Sequence, residues 1–178
     1  MTAKRDLLLT AARLLLMIFI GVLSFAAAAI ALAIPLVIGF QGRVLAEAAA
    51  KGVEVGPELI GAILIVLAGV AALLALAVYF LVLLRRIVLS VGEGDPFIPQ
   101  NAERLSRMGW AALIGQLASI PAGAMVLWIA SQIEDSPGDA QSDLGISASG
   151  ILLTLVLFIL ARVFRRGAEM REELEGTV

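Results

Sequence analysis

The residues of this chain that could do chemistry are few, and their types narrow the options. Histidine and cysteine are both absent. That removes the commonest general base and transition-metal ligand, together with thiolate nucleophiles, thiolate metal sites and disulfides. Carboxylates gather at Glu134, Asp135, Asp139 and Asp143, in the run Ser131–Asp143. Their spacing lacks the alternating ligands and closing glutamate of an EF-hand, so a solvated acidic loop is the favoured reading over a calcium site. Gln116 and Ser119 lie three apart, one turn from Pro121, in an otherwise apolar stretch. They suit either a small polar pocket or hydrogen bonding between helices, which is the plainer choice. The expectation is no enzyme, no cofactor and no metal.

The elements that must position these groups are set by where charge is missing. No Asp, Glu, Lys or Arg occurs between Arg13 and Arg43, Glu58 and Arg85, Arg107 and Glu134, or Asp143 and Arg162. Each gap approaches or exceeds the ~20 apolar residues that a helix needs to cross a bilayer. With 61% hydrophobic residues and a mean hydropathy of +1.01, a soluble domain is excluded, because such domains are about half apolar. Lipid offers no partner for backbone N–H and C=O groups, so each run should be helical. The prediction is an all-α polytopic membrane protein of one domain, 1–178, with spans near 14–40, 59–84, 108–130 and 147–161. A loop, 85–107, and a tail, 162–178, are left outside. The first run is longer than the ~7–15-residue core of a secretory signal and is broken early by Arg13, so it reads as a span.

Orientation follows from the basic residues. Of the 13 lysines and arginines, all but Arg43 and Lys51 fall before the first span, in the 85–107 loop or after the fourth span. Both termini and that loop are therefore expected to be cytoplasmic. No ionisable residue lies deep in any span, so the residues that proton relays, buried-carboxylate transporters and voltage sensors depend on are missing. Small-xxx-small pairs, Ala111 with Gly115 and Ala118 with Ala122, would allow close helix approach within the bundle or in a homo-oligomer.

The loop has readable local structure. Gly92 and Gly94 suit the end of the second helix. Asp95 before Pro96 is one start signal for the next helix, and Pro99 offers another. Leu105 and Met108 opposite Arg104 and Arg107 suggest a short interfacial helix, with Phe97 and Trp110 as anchors. The tail reads as a helical extension of the fourth span. Arg165 and Glu169 are spaced for an i,i+4 ion pair, and Met170 and Leu174 form a stripe that could seat the tail on the loop.

Two phrases carry a resemblance. One is GDPFIPQNAERL, Gly94–Leu105, placed between the second and third spans. The other is VFRRGAEMREELEGTV, Val163–Val178, which follows an apolar span. Together they resemble a family of small bacterial four-span membrane proteins catalogued as domain of unknown function 2975. Ile98-Pro99 departs from the pattern where members often carry a hydroxyl residue able to cap a helix. The resemblance implies residence in the bacterial inner membrane, with no assigned chemistry. It also implies a frequent neighbour, a very small helix-turn-helix regulator, that the membrane protein would bind or restrain. The residues expected to contact this partner are Asp95, Pro96, Phe97, Asn101 and Arg104 in the loop, and Arg165, Arg166 and Glu169 in the tail. Direct nucleic-acid binding is not expected. The alternative is a small transporter, channel or accessory subunit acting as an oligomer.

Overall fold

The computed structural model describes residues 2–50, 56–92, 94, 96–131 and 147–175. Four helices account for nearly all of them: α1 (Thr2–Ala50), α2 (Pro57–Gly92), α3 (Pro99–Ser131) and α4 (Ala148–Glu175). All four are long and apolar enough to cross a membrane, and the chain is a multi-pass membrane protein. Large apolar side chains such as Leu14, Ile18, Phe25, Leu32, Leu152 and Ile159 stand exposed. In water such surface would drive aggregation; in a bilayer it is the lipid face.

The helices pack in sequence order as an antiparallel row. α1 meets α2, α2 meets α3 and α3 meets α4, with no other pair in close backbone contact among the described residues. Consequently α1 and α4 are the two outer members of the row, α1 on the side away from the α3–α4 pair. One end of the row gathers the α2–α3 connection with the N-terminal part of α1 and the C-terminal part of α4, and is called here the basic end. A buried cluster of Leu83 and Ile87 from α2, Leu105 and Met108 from α3, and Leu157 and Ala161 from α4 sits towards it. Physics favours that placement. Apolar contacts between helices gain little in lipid, whose tails are as apolar as leucine, and regain their hydrophobic drive where the helices emerge into water.

Every helix overshoots its predicted span. α3 has 33 residues, about 50 Å of helix against a hydrocarbon core of about 30 Å. The predicted short interfacial helix is not a separate element: it is the first turns of α3, which continues unbroken through Trp110. Nothing between Asn101 and Trp110 interrupts the backbone ladder, and the one glycine there, Gly109, lowers helix propensity by only about 1 kcal/mol. The fourth helix likewise runs on through the tail, as expected, to Glu175. α2 ends at Gly92, and Gly94 turns the chain with φ of 96° while its N–H bonds to the Val91 carbonyl at 3.2 Å. α3 begins at Pro99, whose missing N–H costs nothing in a first turn.

Glycines key the α3–α4 interface. A Cβ at Gly109 would come within 3.0 Å of the Phe158 ring, one at Gly167 would lie 2.7 Å from Phe97 Cδ1, and one at Gly150 would overlap the Gln116 amide. Each glycine receives one large side chain from the facing segment. The expected Ala/Gly pairs of α3 contribute less: at Gly115 an added Cβ would make ordinary contact, 3.7 Å, with Leu76.

Candidate functional site

Where the chain leaves α2 and enters α3, the polar groups converge on Asn101. Its side chain is fully buried, at 0% exposure. The Nδ2 group donates to Ser90 Oγ at 2.7 Å and to the Pro96 carbonyl at 2.9 Å. Its Oδ1 accepts from Arg104 Nη1 at 2.8 Å, and the same guanidinium reaches the Arg86 carbonyl at 3.4 Å. Ser90 Oγ in turn donates to the Ile87 carbonyl at 2.8 Å. These bonds tie the last turns of α2, the connecting segment and the first turn of α3 into one unit. The arrangement places Arg104 near the carbonyl-rich end of α2, where positive charge is favourable. Arg13 of α1 approaches the same end, since a Cβ on Gly92 would overlap its guanidinium.

A second junction joins this unit to α4. The Phe97 ring lies 5.1 Å from that of Phe164, tilted by 39°, and rests over Gly167. The seat expected from Met170 and Leu174 is not used. Those side chains are 60% and 71% exposed, and the docking falls to Phe97, one to two turns earlier along α4.

The expected contact residues therefore divide. Pro96, Asn101 and Arg104 are spent on holding the connection together, and Asn101 is inaccessible to any partner. Phe97 is shared: it docks on α4 yet stays 42% exposed. Arg165, Arg166 and Glu169 face outward. Asp95 lies outside the described residues, as do the acidic residues of the 131–143 run beyond Ser131. The predicted Arg165–Glu169 ion pair is not formed, whereas Glu103 pairs with Arg107 at 2.5 Å. Glu103 raises the Arg107 pKa above its ordinary value, first by accepting its hydrogen bond and then through its charge, with Tyr79 adding to the shift.

Two grooves open between α3 and α4 at this end. One, about 350 Å³, is lined by Pro99, Ala102, Glu103, Arg165, Ala168, Glu169 and Glu172. Three carboxylates against one guanidinium make it acidic. The other, about 480 Å³, runs beside Ser106, Phe158, Ala161, Arg162, Arg165, Arg166 and Glu169 and is basic. Glu103, Ser106, Arg162 and Glu172 were not singled out from sequence. Their signal is register: α3 and α4 are antiparallel, and Phe97 opposite Gly167, Gly109 opposite Phe158 and Gln116 opposite Gly150 fix which turns face each other.

Gln116 and Ser119 do not form a polar pocket. Gln116 bridges to the start of α4, donating to Ser147 Oγ at 3.3 Å and accepting from the Ser147 N–H at 3.4 Å. Ser147 caps that helix by accepting from the Gly150 N–H at 3.0 Å. Ser119 turns onto its own helix, bonding to the Gln116 carbonyl at 2.7 Å.

A family model described as protein of unknown function, DUF2975, matches residues 47–178. The match takes in α2, α3 and α4 and the unit at the basic end, and leaves out nearly all of α1. Neither a curated protein nor a solved structure matches the chain.

Proposed function

Since the chain belongs to the DUF2975 family, we propose that it is a non-enzymatic protein of the bacterial inner membrane that holds a cytoplasmic partner at the membrane surface. Orientation rests on the sorting of basic residues, which puts both termini and the α2–α3 connection inside. The observation that carries the reading is the rigid unit built by Asn101, Phe97 and Gly167. It projects past the apolar spans and presents the acidic groove of Glu103, Glu169 and Glu172, with Met170 and Leu174 exposed farther along α4. An acidic groove beside apolar side chains complements a basic amphipathic segment. A small helix-turn-helix regulator, the partner implied by the family resemblance, would fit this groove through such a segment, and its capture would keep it from nucleic acid.

The test is co-expression with a very small helix-turn-helix regulator of the kind the family resemblance implies, followed by affinity capture through the membrane protein. Capture should fall at least tenfold for the E103K/E169K/E172K variant, while insertion is kept and stability falls only slightly, from the lost exposed Glu103–Arg107 pair. Undiminished capture by that variant, or no capture by the native protein, overturns the reading. The transporter alternative finds less support. One cleft between the helices, about 440 Å³, is lined by Phe19, Leu23, Leu76, Phe80, Gly115 and Leu153 among other apolar residues. Another, about 580 Å³, holds Glu58 as its one charged residue among Ala62, Ile65, Pro121 and Trp128. Both suit acyl chains or another helix better than ions.

A further inference from the structure

We infer that the basic groove beside Ser106 is a binding site for the phosphate of an anionic phospholipid, with Arg162, Arg165 and Arg166 as its ligands. The first argument is depth. Trp110 and Trp128 are both substantially exposed on α3 and 18 residues apart, which is about 27 Å of helix. Trp110, the one nearer the basic end, lies where tryptophan prefers to sit, at the interface on that side. Trp110 packs edge-on against Phe158, with ring centroids 5.6 Å apart. Ser106 lies one turn beyond Trp110, and Arg162 one turn beyond Phe158, both towards the basic end. Lipid phosphates occupy that layer.

The second argument is unspent charge. Arg162, Arg165 and Arg166 all line the groove and are exposed, and no hydrogen bond or ion pair to a described residue engages them. Arg104 and Arg107, on the facing helix, are already committed to Asn101 and Glu103. Glu169 closes the outer end of the groove beside Arg165 and leaves the site net positive. Guanidinium groups offer forked donors matched to phosphate oxygens, and Ser106 adds a hydroxyl.

The third argument is continuity. Leu155 and Ile159 are exposed on α4, and with Phe158 they give acyl chains an apolar track that starts where the guanidinium groups end. A soluble anion would use the charges and gain nothing from that track.

The experiment uses the full chain carrying W128F, so that Trp110 alone reports, reconstituted in phosphatidylcholine vesicles. Phosphatidylglycerol brominated on its acyl chains is added as a minor component and compared with equally brominated phosphatidylcholine. Trp110 should be quenched preferentially by the anionic lipid, with the preference falling about fivefold per arginine removed in R162Q and in R162Q/R165Q/R166Q. Soluble glycerol phosphate should not relieve it. Equal quenching by the two lipids overturns the site, as does a preference that persists in the triple variant. Relief by glycerol phosphate would assign the groove to a soluble anion instead. If the triple variant fails to insert, R162Q decides on the same criteria. No partner protein enters the assay, so its outcome is independent of the regulator reading.

Discussion

The Phe97 ring rests on Gly167, in the space a side chain at that position would need. This contact joins the two phrases that carry the family resemblance, one from the α2–α3 connection and the other from the end of α4. It makes the connection and the α4 extension a single surface.

Substituting Gly167 with alanine should therefore push Phe97 off its seat. The ring is partly exposed and can move, so the cost should be about 1–2 kcal/mol, at the mild end of overpacking. Thermal unfolding of G167A, F97A and the double variant in detergent checks this. Once Phe97 is gone the alanine should cost almost nothing more, so additive costs would contradict the contact.

Asn101→Ala should destabilise the protein by about 1–3 kcal/mol, because the Pro96 carbonyl and Ser90 hydroxyl lose a buried donor. Ser90→Ala should cost less, since Asn101 keeps its other two partners. Denaturation midpoints of the two variants in the same detergent give the ranking, and a neutral N101A would dismantle the proposed unit.

At the other end, Gly150→Ala should collide with the Gln116 amide and cost about 1–3 kcal/mol. Removing that amide in G150A/Q116A should recover much of the loss, although the bridge to Ser147 is given up. Suppression of one lesion by the other is the readout.

The chain has no cysteine, so single-cysteine labelling reports topology without background. In intact cells an impermeant maleimide should modify S131C and spare Q100C until the membrane is opened. The reverse pattern would turn the molecule over and move the proposed partner face outside.

Much of this architecture was legible in the residues alone. Charge-free gaps announce membrane helices because lipid penalises both charge and unpaired backbone, and the sorted arginines carry the expectation for orientation. Gly92 and Gly94 marked the end of α2. Of the two start signals for α3 the later, Pro99, is the one used, while Pro96 stays outside the helix. Backbone freedom and a missing N–H are local properties, which allow a start without choosing between two prolines. Local pattern failed at the interfacial helix: amphipathicity showed which residues share a face, but nothing in it required a break before the third span.

What only the tertiary structure decided is which polar and aromatic groups remain available. Asn101 and Arg165 look alike as candidates in sequence, yet one is wholly enclosed and the other faces an open groove. That difference arises from register between α2, α3 and α4, set by which glycine admits which large side chain across helices far apart in the chain. Composition and spacing place the protein in a membrane and identify the segments able to recognise something. Packing decides which of their residues hold the surface together and which are left to meet a partner.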